Sequence, residues 1–437
     1  MMKSNLIFIL QVLILGTTAA GIAQANYPDS LTVSDAVRIA LTSNPALKEG
    51  VHEIAASEAR VEQSKSSLYP NAVVTLNYAH LGPVAQLGFP GFGTFKLFPS
   101  DNYDEHIGAN ATIFDFERRH KSIQLAQTQV QSTVDRLDLM KQDLSYQTVQ
   151  TFYTILFLEK SIQVQKDEIA TLRQHLLMTK KKVEAGTGTD FDVLTTQVRV
   201  AAAVDKRISL ENSLINAQTQ LRRLLNFPAN IPLKLIGDFT ESPISLNMDS
   251  LLNVALQNRV ELKMADDQIK IAKAQYSVAS VVNNPSVNFS VSYGFKNGYE
   301  PNINAWRGNY VAALQVQIPL FDGYRENSMK EEASATIRAA ESHREDIIEK
   351  IKSDVQMAVT DLQSNMEKLQ TTDITIQQAE SALQLARLRY QAGTVTNLDL
   401  LDSETALAEA KLMQLEALYR FVMSRYELKH ALGLREW

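Results

Sequence analysis

Four segments of about nine residues alternate apolar positions with small or polar ones. Val287, Phe289, Val291, Tyr293 and Phe295 alternate with Asn288, Ser290, Ser292 and Gly294. Tyr310, Ala312, Leu314, Val316 and Ile318 alternate with Val311, Ala313, Gln315 and Gln317. Val74, Leu76 and Tyr78 do the same with Val73, Thr75 and Asn77, and Ile107, Ala109, Ala111 and Ile113 with Gly108, Asn110 and Thr112. Period two predicts strands over about 71–79, 106–114, 286–295 and 309–318. Such strands fit a soluble sheet with one face on a core, or a tilted membrane-spanning barrel with apolar residues outside and polar ones inside. The strands alone leave both open. The connecting loops favour the membrane: Phe89, Phe92, Phe95, Phe98 and Tyr103 crowd the first, and Tyr299 and Trp306 the second. Aromatic side chains at strand ends suit a bilayer interface; self-packing of a long loop is the alternative.

Elsewhere the pattern is helical and uninterrupted. No Gly or Pro occurs in the 77 residues from Ala109 to Ala185, or in the 69 from Tyr324 to Ala392. Both residues are poor helix formers and break helices where they fall. Long helices are therefore expected over about 116–185 and 323–391, with return helices over about 190–225 and 397–432. Shorter helices are expected at Val33–Thr42, Pro45–Ser67, Met248–Gln257 and Val260–Val281. A 70-residue helix extends about 105 Å, thicker than any globular core, so it must pack laterally against neighbours or kink.

The two halves align. Val33-Ser34-Asp35 corresponds to Met248-Asp249-Ser250, Pro70 to Pro285 and Tyr78 to Tyr293, at an offset of 215. Beyond them Phe114-Asp115 corresponds to Phe321-Asp322, Ala185-Gly186-Thr187 to Ala392-Gly393-Thr394, and Asp192-Val193-Leu194 to Asp399-Leu400-Leu401, at 207. The change places an insertion of 8 residues in the first copy, between Tyr78 and Phe114. The expected division is a leader over 1–25, a first structural repeat over 26–235 and a second over 236–437. Lys3, the apolar run from Leu6 to Leu15 and the Ala23-Gln24-Ala25 site read as a secretory signal, too short for a spanning helix.

Composition narrows the functional classes. There is no cysteine, which excludes disulfides, thiolate metal sites and an acylated N-terminal cysteine. A net charge of −6 offers no footprint for nucleic acid. The seven His are scattered without metal-binding spacing, no phosphate-binding loop motif is present, and no catalytic constellation can be assembled. The expectation is a protein without cofactor or enzymatic activity.

Two local designs recur. Asp115 and Asp322 stand where a carboxylate can accept the free N–H groups that open a helix. Gly186 and Gly393 stand where a helix ends in a left-handed residue, and each is followed by a capping pair, Thr189 with Asp192 and Thr396 with Asp399. Lys180-Lys181-Lys182 complements the helix dipole beside Gly186.

Over essentially the whole mature chain, this layout resembles the TolC-type outer membrane efflux proteins. The local signatures are Ile318-Pro319-Leu320-Phe321-Asp322-Gly323 at the strand-to-helix junction, and Tyr390-Gln391-Ala392-Gly393-Thr394 followed by Leu398-Asp399-Leu400-Leu401 at the helix turn. The resemblance implies a mainly α chain with a transmembrane β part. Four strands from each of three copies would form a 12-stranded β-barrel, continuing into a long periplasmic α-helical barrel. Physics independently requires some oligomer, because four strands cannot close a barrel. The implied location is the cell outer membrane, reaching into the periplasm. The implied partners are a periplasmic adaptor, an inner-membrane pump of RND or ABC type, and outer membrane lipids.

The resemblance places Gly186, Thr187, Gly393 and Thr394 at the tips that face the adaptor, and Phe114, Asp115, Phe321, Asp322 and Gly323 at the strand-to-helix junctions. Some members carry an acidic ring shortly before the second Gly-Thr. Here Gln384, Arg387 and Arg389 occupy that stretch, with Glu380 a turn earlier. The expectation is a less acidic periplasmic gate closed partly by Arg–carboxylate pairing; solvated charges on a helix face are the alternative. The functional expectation is a passive exit duct for small molecules in a tripartite efflux system. The same architecture could serve type I protein secretion, and a soluble periplasmic coiled-coil scaffold is the reading from a different class.

Overall fold

The computed structural model describes residues 30–91, 93–239 and 247–435. The leader expected over 1–25 lies outside the described residues, as does Phe92. In chain order the elements are α1 (Val33–Ser43), α2 (Pro45–Ser66), β1 (Asn71–His80), β2 (Gln86–Phe89), β3 (Gly93–Lys96), β4 (Asp101–Phe114), α3 (Arg118–Glu184), α4 (Asp190–Leu225), α5 (Met248–Asn258), α6 (Val260–Ala279), β5 (Ser286–Lys296), β6 (Arg307–Gln317), α7 (Arg325–Gln391) and α8 (Asn397–Ala431).

The helices α3 and α7 each run 67 residues without a break, about 100 Å. Buried side chains of α3 step by three and four along one stripe, through Ile162, Gln165, Ile169, Leu172, His175 and Thr179, the spacing of a coiled-coil seam. Each long helix packs against a return path made of two helices: α4 and α2 lie along α3, and α8 and α6 along α7. Buried Asn44 holds the first joint. Its Oδ1 accepts from Ala46 N at 2.9 Å, opening α2, and its Nδ2 donates to Leu224 O at 3.0 Å, closing α4. In the second repeat Arg259 takes this place, donating through Nη1 to Ala431 O at 3.2 Å while it pairs with Glu261 and Asp354.

The apolar core is widest midway along the long helices. Phe152, Ile155, Leu156, Leu221, Leu225 and Val422 join α3, α4 and α8 beneath α1, and Ile351, Val355, Ala358 and Leu428 join α7 and α8 beneath α5. The amphipathic α1 and α5 thicken the wall there, and Leu31 bridges in parallel to Leu235, tying the chain start to the segment between the repeats.

All four long strands form one antiparallel sheet in the order β1-β4-β5-β6. β4 begins five residues before the expected 106, because Asp101–Glu105 pair with Leu76–His80. The inserted loop also contains an unexpected hairpin, β2–β3. Its strands of four residues among Gly and Pro are too short to show a period. The long helices begin two residues later than expected. Phe116 and Glu117, and likewise Gly323 and Tyr324, adopt positive φ, and this left-handed pair redirects the chain between strand and helix.

Candidate functional site

The sheet sorts most of its side chains by face, with Glu105 among the apolar rows and Val73 and Val311 among the polar ones. Across all four strands Val74 pairs with Ile107, Ile107 with Tyr293 and Tyr293 with Tyr310. Ala72, Ala109, Val291 and Ala312 form the next row on the same face. The opposite face carries the rows Asn71, Asn110, Ser290, Ala313 and Thr75, His106, Gly294, Asn309. A soluble sheet would bury its apolar face on helices. Here that face is uncovered: Tyr310 is 80% exposed, Leu76 71% and Leu314 67%. Burying each such side chain is worth roughly 1.5–3 kcal/mol, so a face of this size calls for an apolar surrounding. Among the described residues, no helix is long and apolar enough to cross a membrane.

At the helix end of the sheet lie the junction residues Phe114, Asp115, Phe321, Asp322 and Gly323. Asp115 Oδ2 accepts from the Arg119 N–H at 3.0 Å and from Arg119 Nε at 2.8 Å. Asp322 Oδ2 accepts from the Glu326 N–H at 2.9 Å and from Asn283 Nδ2 at 2.5 Å. These bonds, led by the one from Asn283, hold the Asp322 carboxyl below its ordinary range. The Phe114 and Phe116 rings meet edge to face at 4.5 Å, and Phe321 and Tyr324 at 5.6 Å. With exposed Tyr69 and Leu320, they form an aromatic collar where the sheet meets the helices. A second aromatic group, Tyr78, Tyr103 and Trp306, stands at the loop end with centroids 5.2 Å apart in sequence.

At the far end of the long helices the two hairpin turns have the same construction. Gly186 and Gly393 both have φ +72. The Thr187 N–H reaches Lys182 O at 2.8 Å and the Thr394 N–H reaches Arg389 O at 2.9 Å, which satisfies carbonyls that the helix end leaves free. Thr189 with Asp192, and Thr396 with Asp399, close reciprocal capping boxes. The Thr396 hydroxyl and N–H hold the Asp399 carboxyl below its ordinary range.

Three of the four expected gate residues share one face: Glu380, Gln384 and Arg387 line a shallow groove with Leu383, Leu388 and Leu407. Arg389 stands apart from that groove, its carbonyl serving the turn. Arg387 does approach a carboxylate, but it is Glu404 on α8, at 3.8 Å, rather than Glu380.

Glu404 belongs to a buried polar cluster that sequence reasoning missed. His175 Nδ1 lies 3.0 Å from Glu404 Oε2, and His175 Nε2 lies 2.8 Å from Asn397 Oδ1. Asn397 also accepts from Tyr390 OH at 3.3 Å and donates to Thr196 Oγ1 at 3.2 Å and Asp192 O at 3.3 Å. Beside the turn, Lys182 Nζ stands 3.6 Å over the Tyr390 ring, so one of the three lysines bridges the hairpins. The cluster ties the α3–α4 hairpin to the α7–α8 hairpin just above the tips. Its sequence signal was the polar pair His175 and Thr179 in seam positions where apolar residues belong.

Comparisons with known proteins agree with this geometry. The chain is 21% identical over 337 residues to outer membrane protein TolC of Vibrio cholerae, covering 76% of this chain and 75% of that protein. It is 22% identical over 414 residues to the alkaline protease secretion protein AprF of Pseudomonas aeruginosa, covering 93% and 85%. The crystal structure of the outer membrane protein VceC from Vibrio cholerae superposes with a TM-score of 0.75 at 18% identity, covering 92% of this chain and 96% of that one. The family model for outer membrane efflux proteins matches residues 36–226 and 251–434. The chain therefore belongs to the outer membrane efflux protein family.

Proposed function

We propose that three copies of this chain close a twelve-stranded barrel in an outer membrane and continue it as a helical barrel through the periplasm. The assembly is a passive exit duct for small molecules. An inner-membrane pump of RND or ABC type supplies the energy, through a periplasmic adaptor that meets the tips at Gly186, Thr187, Gly393 and Thr394. The observation that carries this reading is the sheet: apolar rows on one face, polar rows on the other, both edges unpaired among the described residues, and long helices hanging from one end. Unpaired edges invite further strands, and copies of the same sheet satisfy them by closure. The periplasmic gate is assigned to the stretch around Glu380, Gln384, Arg387 and Arg389, with Arg387 held by Glu404.

A second reading is favoured by the match to AprF over 93% of the chain: the same duct could serve type I protein secretion. Both are tested by deleting the gene, complementing it and measuring drug susceptibility beside the secreted proteome. Increased susceptibility supports efflux, whereas unchanged susceptibility with loss of a secreted protein transfers the duct to secretion. Recovery of the protein as a soluble monomer, rather than an outer-membrane trimer, would sink both.

A further inference from the structure

The polar face of the sheet concentrates its charge in a single row. Asn77 pairs with Asp104, Asp104 with Lys296 and Lys296 with Arg307, at the loop end of the strands. From there to the helix junction this face carries Thr75, Val73 and Asn71 on β1, and His106, Gly108, Asn110 and Thr112 on β4. It continues as Gly294, Ser292, Ser290 and Asn288 on β5, and Asn309, Val311, Ala313 and Gln315 on β6. His106 is the only titratable side chain among them. Within the row the charges do not cancel. Asp104 turns to His106, with Oδ1 3.4 Å from Nδ1. Among the described residues, Lys296 reaches only the ring of Tyr299, at 5.5 Å. Two cations thus stand directly opposite each other on paired strands, an arrangement that costs stability because like charges at this spacing repel.

We propose that Lys296 and Arg307 bind an anionic group, a carboxylate or phosphate, at the outer end of the duct. This rests on the trimeric duct reading, in which three such pairs form one basic ring. An anion between an ammonium and a guanidinium removes their repulsion and gains charge-assisted hydrogen bonds, which Arg can make in pairs. The wall below carries no Asp, Glu, Lys or Arg, which leaves this ring to set the local field, and a narrow low-dielectric passage focuses it. The outer half of the duct therefore prefers anions, whatever the helical gate admits. The same chemistry could come from a passing solute or from a phosphate of the outer-leaflet lipid. The pair's place on the polar face assigns it to the solute.

The test uses the full-length trimer in planar bilayers, with pyrophosphate added from the loop side or the tip side. Loop-side addition should reduce current, and the K296Q/R307Q variant should need a concentration at least about tenfold higher, with tip-side block unchanged. Current blocked equally in wild type and variant would overturn the ring while leaving the duct intact. A wild-type protein that conducts no current would instead overturn the duct. Calorimetry of pyrophosphate with detergent-solubilised protein then reads the pair directly, and equal affinity in the variant overturns it. Copurified lipopolysaccharide lost from K296Q/R307Q, with block unaltered, would reassign the pair to lipid phosphate and overturn the lumenal site.

Discussion

Gly393 adopts φ +72 with nothing within 4 Å of where a Cβ would stand, so its constraint is conformational rather than steric. Gly393→Ala should lower stability by about 1 kcal/mol, read as faster hydrogen exchange at the α7–α8 turn in the intact trimer. An unchanged exchange rate would mean that the turn is not held by this residue. The matching position at the other end of the helix shows a different solution: where α7 is preceded by Gly323, α3 is preceded by Phe116, also at positive φ. A side chain in that region costs about 1–2 kcal/mol, and the edge-to-face contact with Phe114 offsets about 0.5–1.5 kcal/mol of it. Gly186 and Gly393 were legible because turn chemistry is local. Glu404 was not, because its partner His175 lies 229 residues away and only helix packing brings them together.

At the scale of elements, each long helix is matched by two shorter ones, and the joints bear the burden of continuity. Asn44 serves two helix ends at once, so Asn44→Ala removes an N-cap and leaves the Leu224 carbonyl buried without its donor. The expected cost is about 1–3 kcal/mol, measured by denaturant unfolding. A loss within experimental error would show that the remaining contacts, from the Ser43 hydroxyl to Leu225 O at 2.7 Å and from Asn226 Nδ2 to Ser43 O at 3.4 Å, suffice to hold the joint. The helices and four main strands were readable from periodicity because each has one dominant face or a long unbroken run. The β2–β3 hairpin is not, and the period covers only the later part of β4, because pairing with β1 rather than an apolar pattern defines both its first residues and its register.

For the whole molecule, the proposed duct would make the hairpins both wall and door. The inner contacts of Glu404, His175, Asn397 and Arg387 span the two hairpins near the tips, where any opening must separate them or move them together. Arg387→Ala should raise single-channel conductance in planar bilayers by loosening the α7–α8 side of that contact; unchanged conductance and gating would remove Arg387 from the gate. Because Arg387 is half exposed beside buried Glu404, its pairing alone is worth little in water, and the effect should appear in gating rather than in stability.

The sequence by itself determined the duplicated order of elements, the length of the helices, the hairpin turns and the two-faced strands. These rest on interactions within a few residues or on a period of two or of three to four, which a linear chain displays. Tertiary structure alone decided that Glu404 rather than Glu380 meets Arg387, that His175 and Asn397 lock the two hairpins, and that Lys296 and Arg307 stand opposite each other. Those pairings depend on how one helix is phased against another and on strand register. A shift of one residue in a strand would send the entire polar row to the apolar side.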